Sequence, residues 1–120
     1  MADPALVEHL LAHSVRRGAF VLKSGRRSDW FIDAKQTTCS PDGMLLVAEA
    51  ALAVLPADVT AVGGLTMGAD AAAFSIAAVA ATRGRPLRAF SVRKEEKDHG
   101  AGGRIAGALL PGDRVAITED

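Results

Sequence analysis

From Pro56 onward the chain changes its rhythm, and that change constrains the fold more than any other feature. A short apolar run, Val59–Val62, leads through the glycine-rich turn Gly63–Gly68 into the apolar helical stretch Ala69–Thr82. Leu87–Val92 reads as a second strand, Arg93–Arg104 as a charged loop with glycines, and Arg114–Thr118 as a third strand after the Pro111-Gly112 turn. Strands that alternate with helices predict an α/β fold with a mainly parallel sheet flanked by helices.

The first half reads differently. Asp3 before Pro4 is a helix start: a capping carboxylate, then a residue whose missing N–H costs nothing there. Leu6, Val7, Leu10, Leu11 and Val15 recur at helical spacing, and Gly18 follows Arg16-Arg17 as a stop. The spacing predicts a helix over Pro4–Arg17 with one buried stripe. Ala19–Leu22 and Asp29–Asp33 are strand-like, with Lys23–Ser28 as a hairpin loop. Ser40-Pro41 repeats the cap-then-proline signal, and an apolar helical pattern continues to Pro56. No repeat, low-complexity segment or linker divides the chain, so residues 1–120 are expected to form a single domain.

Composition narrows the function. Fourteen Lys and Arg balance fourteen Asp and Glu, so no global basic field suits nucleic acid or an anionic membrane, and any anion site must be local. The single cysteine, Cys39, cannot form an internal disulfide; it is expected to be a small, semi-buried thiol in a reducing cytosol. Glu8, His9 and His13 interrupt the apolar residues of the N-terminus, so it does not read as a signal peptide. The alanine-rich stretch Ala69–Ala81 contains Asp70 and Ser75 and falls short of the roughly 18 apolar residues of a membrane span.

Four segments carry chemistry. In Arg93-Lys94-Glu95-Glu96-Lys97-Asp98-His99-Gly100, three cations and an imidazole follow a strand directly. Such donors neutralise charge on a departing diphosphate, on a segment whose glycines let it close and open. The plainer alternative is a solvated loop, since Glu95, Glu96 and Asp98 nearly cancel the cations. Val115–Asp120 delivers two adjacent acids, Glu119 and Asp120, to a strand's carboxyl end, where they suit ribose hydroxyls or indirect contact with Mg²⁺; they could equally be two exposed acids. Gly63–Asp70 could let backbone N–H groups approach an anion at a helix N-terminus, or be a tight structural turn. It is neither a Walker A loop nor a dinucleotide fingerprint. Lys23 and its neighbouring arginines, beside Trp30-Phe31, could hold an anionic planar ring, or the aromatics could be core. No metal-ligand spacing is present.

Taken in order, LKSGRRSDWFIDAK (22–35), GGLTMGAD (63–70), FSVRKEEKDHG (90–100) and VAITED (115–120) resemble the orotate phosphoribosyltransferases, a branch of the type I phosphoribosyltransferases. The similarity runs from about residue 18 to the last. RKEEKDHG resembles the family's mobile catalytic loop, and VAITED the start of its phosphoribosyl-diphosphate motif. The resemblance implies transfer of phosphoribosyl from phosphoribosyl diphosphate to orotate, giving orotidine monophosphate and diphosphate for pyrimidine nucleotide (UMP) biosynthesis, with Mg²⁺ required. It implies that Arg93, Lys94, Lys97 and His99 contact the diphosphate, with Lys97 or His99 helping it leave. Glu119 and Asp120 would hold the ribose hydroxyls, and Lys23, Trp30 and Phe31 would border the orotate pocket. A cytoplasmic homodimer is implied as well.

Two departures qualify the match. Met67 stands where some branches carry a lysine. The Thr/Gly-rich phosphate loop expected after the twin acids is absent, so the domain is expected to be incomplete at its C-terminus and the 120 residues inactive alone. The alternatives are transfer to another base, or a non-catalytic nucleotide- or RNA-binding regulator of the same fold.

Overall fold

The computed structural model describes residues 3–97 and 103–120. Helix α1 (Pro4–His13) starts as expected, with the Asp3 carboxylate accepting from the Ala5 N–H at 2.9 Å. It ends four residues early. Strand β1 (Val15–Val21) begins almost at once and pairs antiparallel with β2 (Arg27–Ile32). Arg16 and Arg17 are therefore strand residues, paired with Phe31 and Trp30. Gly18 is no helix stop: with φ +152° it sits where the register slips between Arg17 and Phe20, the irregular geometry that glycine tolerates best. The expected buried stripe also differs. Val7 and Leu11 are exposed, and the residue that α1 buries is His9.

A short helix that the sequence did not announce, α2 (Lys35–Thr38), precedes α3 (Pro41–Val54). The Ser40 hydroxyl caps α3 by accepting from the Gly43 N–H at 3.1 Å. A buried polar cluster ties the three helices. The Thr37 hydroxyl meets His9 Nδ1 at 3.0 Å and Ser14 Oγ at 2.6 Å, while His9 Nε2 lies 3.3 Å from Asp42. Thr37 and Ser14 are fully buried. The Asp42 carboxyl is held below its usual range, first by its own backbone N–H and further by His9.

The second half forms a four-stranded sheet in the order β5-β4-β3-β6. Here β3 is Ala61–Leu65, β4 Arg88–Val92, β5 Ile105–Gly107 and β6 Val115–Ile117. β3 runs parallel to both β4 and β6, whereas β5 is antiparallel to β4. The mainly parallel sheet is as expected; β5 falls inside a stretch with no strand signal. Helix α4 (Asp70–Thr82) packs on β3 and β4 and against α3. Ala73, Ile76 and Ala80, at helical spacing, join Ala48, Val59, Val62 and Leu87 in the core. Small residues at these positions let the two helices approach closely. On the sheet's other face Phe90 is buried over Gly63.

Gly63 and Gly64 are strand residues and not part of a turn. A Cβ on Gly63 would stand 2.2 Å from the Phe90 carbonyl oxygen, and one on Gly64 2.3 Å from that of Thr118. Their glycines serve sheet packing. The β1–β2 hairpin rests on α1 and touches no strand of the larger sheet among the described residues. It stands away from the body: the radius of gyration is 16.0 Å, above the roughly 14 Å of a compact chain of this length.

Candidate functional site

Because β3, β4 and β6 are parallel, the segments that follow them emerge along one edge. Thr66 begins the turn after β3 and donates its N–H to the Val92 carbonyl at 2.9 Å, and Thr118 donates to Gly63 at 2.9 Å. The cationic segment from β4, the turn from β3 and the acids from β6 thus leave the sheet side by side. β4 and β6 both pair with β3, so the cation and acid segments arise roughly 10 Å apart. In parallel sheets this edge is where ligands bind.

The turn Thr66–Ala69 feeds α4. Unlike α1 and α3, α4 carries no side-chain cap among the described residues; the Asp70 N–H donates to the Met67 carbonyl at 3.1 Å, which leaves the Ala71 and Ala72 N–H groups suited to an anion. Gly68 is needed for close packing: a Cβ there would fall 2.4 Å from Asp120 Oδ1 and 2.9 Å from Glu119 Oε1. The Thr66 hydroxyl donates to Asp70 Oδ2 at 2.6 Å, while Asp70 Oδ1 is buried without a partner among the described residues. Thr66, Met67, Gly68, Asp70 and Ala71 line a cavity of about 400 Å³ with Lys35 and Cys39.

The twin acids sit against this turn. The Asp120 N–H donates to Glu119 Oε1 at 3.1 Å, and the Asp120 carboxylate pairs with the Lys35 ammonium. That hydrogen bond and its charge raise the Lys35 ammonium above its ordinary range and hold the Asp120 carboxyl below its own. Lys35 was not among the residues expected here. Only its place at the end of LKSGRRSDWFIDAK hinted at it, and its partner lies 85 positions away.

The remaining expected residues divide. Arg93 is half-buried, and its backbone N–H donates to the Arg104 carbonyl at 2.6 Å. Lys94 and Lys97 are exposed, and the Lys97 N–H donates to Gly103 at 3.1 Å. The expected loop is therefore the connection of a β4–β5 hairpin whose two stems pair beyond the strands. His99 and Asp98 lie outside the described residues. Trp30 and Phe31 are neighbours on β2 and so face opposite sides: Phe31 packs edge-on against Phe20, centroids 4.8 Å apart, while Trp30 is half exposed. They do not form one stacking wall. Lys23 is exposed in the hairpin loop. Cys39, expected to be semi-buried, is exposed, because Thr37 and Thr38 take the inward face of α2.

Among the described residues no three His, Cys, Asp or Glu side chains cluster as metal ligands. Glu119 and Asp120 are hard oxygen donors. They fit Mg²⁺ in its usual manner, one or two carboxylates on an ion that keeps water and rests on substrate phosphates. No described helix is long and apolar enough to cross a membrane.

No model of a known protein family matches the chain. Among curated proteins it is similar to the orotate phosphoribosyltransferase of Nostoc sp., 40% identical over 116 residues, covering 96% of this chain and 56% of that protein. It is also similar to that of Aquifex aeolicus, 43% identical over 102 residues, covering 84% and 56%. The chain thus spans little more than half the length of these relatives. Among solved structures, orotate phosphoribosyltransferase of Mycobacterium tuberculosis H37Rv in complex with Fe(III) dicitrate superposes with a TM-score of 0.80 at 36% identity, covering 97% of this chain and 65% of that one. The same enzyme in complex with 5-phospho-α-D-ribosyl 1-diphosphate gives a TM-score of 0.73 at 32% identity, covering 97% and 62%.

Proposed function

We propose that this chain, a member of the orotate phosphoribosyltransferase family, supplies the phosphoribosyl-diphosphate side of an enzyme that transfers phosphoribosyl to orotate, yielding orotidine monophosphate and diphosphate. One observation carries the reading: the cationic segment, the uncapped α4 with its glycine turn, and the twin acids share a single sheet edge.

In this reading the bond between the anomeric carbon and the diphosphate oxygen breaks while one to an orotate nitrogen forms. Negative charge builds on the leaving diphosphate. Arg93, Lys94, Lys97 and His99 meet that charge, with Lys97 or His99 closest to the departing oxygen. Glu119 and Asp120 accept hydrogen bonds from the ribose hydroxyls and fix the sugar while its anomeric carbon becomes electron-poor. Mg²⁺, when bound, neutralises part of the diphosphate charge. Lys23 and Trp30 or Phe31 border the orotate ring. The exposed Val21, Trp30 and Ile32 of the hairpin, with Val7 and Leu11 of α1, suit a homodimer in which the hairpin reaches a second subunit. The free, exposed thiol agrees with a cytoplasmic setting.

The test is calorimetric titration of the chain with phosphoribosyl diphosphate in Mg²⁺, followed by orotate. Trp30 is the only tryptophan, so its fluorescence reports an orotate ring seated against it. Binding of the diphosphate ester, weakened about tenfold or more by Lys97→Ala, with quenching by orotate and not by hypoxanthine, is expected. Absence of phosphoribosyl diphosphate binding by the folded chain overturns the reading, and a response to purine bases alone redirects it to another base.

A further inference from the structure

We propose that Lys35 is a further ligand of the phosphorylated sugar, held on Asp120 in the free protein and exchanged onto the diphosphate as the ribose hydroxyls take its place. This deepens the phosphoribosyl-diphosphate reading and rests on it. Three observations support it. Lys35 opens α2, whose next residues are pinned by the buried Thr37–Ser14–His9 cluster, so its backbone is fixed while its side chain remains 42% exposed. It is the one cation among the described residues lining the cavity formed with Thr66, Met67 and Gly68, beside the uncapped start of α4. Its partner, the Asp120 carboxylate, packs on Gly68 of that same turn.

An acid that must accept ribose hydroxyls and a cation that could meet a phosphate are thus bound to each other. A ligand with hydroxyls alone, or phosphates alone, satisfies only one of them. A ligand carrying both replaces one charge-assisted contact with two. The exchange favours a sugar diphosphate over either of its parts and keeps each group neutralised while the cavity is empty of substrate.

The experiment is a double-mutant cycle on the 120-residue chain, with inorganic diphosphate as the probe and calorimetry as the readout. K35M is expected to weaken diphosphate binding about tenfold, and K35R to restore most of it. D120N frees the ammonium and is expected to tighten diphosphate binding several-fold where Lys35 is present, but hardly at all together with K35M. Equal tightening in both backgrounds would reflect general charge and overturns the exchange, as does undiminished diphosphate binding by K35M. Repeating K35M with phosphoribosyl diphosphate separates the two ideas. Unchanged affinity removes Lys35 from the site and leaves the functional reading standing, whereas no binding by the wild-type chain removes the reading itself. Matching circular dichroism spectra confirm that each variant is folded.

Discussion

Replacing Thr37 by valine tests the buried cluster that positions α2. The side chain keeps its size and loses its hydroxyl, which bridges His9 Nδ1 at 3.0 Å and Ser14 Oγ at 2.6 Å. Ser14 is 0% exposed and His9 8%, so neither can turn to water. Stranding a buried polar group costs about 1–3 kcal/mol. His9 retains contacts to Ser40 and Asp42 through its other nitrogen, which places Thr37→Val at about 2–4 kcal/mol in total. A domain of this size has roughly 5–15 kcal/mol of stability, so the variant should fold with its melting temperature lowered by about 10 °C. Urea unfolding gives the free energy. Thr37→Ser keeps the hydroxyl and should lose only about 1 kcal/mol for its buried methyl. Adding Ser14→Ala to Thr37→Val should cost less than the sum of the two, because one stranded group is then gone. A loss below about 0.5 kcal/mol for Thr37→Val, or strict additivity, would refute a network that orders the helix carrying Lys35.

Gly63→Ala should destabilise by about 3 kcal/mol or prevent folding, since its Cβ would meet the Phe90 carbonyl at 2.2 Å, whereas Gly25→Ala, in open space with φ +84°, should lose about 1–2 kcal/mol; the reverse order in urea would show that the two strands can part. The Lys35–Asp120 pair gives a signed pH dependence. The folded Asp120 carboxyl is depressed, so its contribution is present above the ordinary value of about 4 and lost as pH falls through the lower folded one; the raised Lys35 contributes fully below about 10.4 and is lost at higher pH. The stability difference between wild type and K35M should therefore be flat between about pH 5 and 9 and shrink at both ends, and a slope in the middle would assign the pair to other groups. Asp113→Asn should also destabilise, because this nearly buried carboxylate accepts from the Leu110 N–H at 2.6 Å and Thr60 at 2.8 Å and pairs with Arg88; unfolding curves superimposable on wild type would contradict that role.

Much of this was legible in the residues. Asp3-Pro4 and Ser40-Pro41 announce two helices because capping is a local contact between neighbours. Alternating apolar runs after Pro56 specify parallel strands because burial follows periodicity. Local chemistry also placed cations after β4 and acids after β6. The boundary after His13 was not legible: Val15–Arg17 fits a helix as well as a strand, and pairing with Trp30 and Phe31 decided it. Nor was β5, which borrows its regularity from the edge of β4.

By itself, the sequence determined which chemistries the chain carries and in what order along it, since these depend on side-chain identity and near-neighbour spacing. Only the tertiary structure decided which of them meet. It turned Gly63 and Gly64 from a loop into packed strands and set Lys35 on Asp120 across 85 positions. The physical reason is that long-range contacts follow from strand order and helix packing, which no local window of residues encodes.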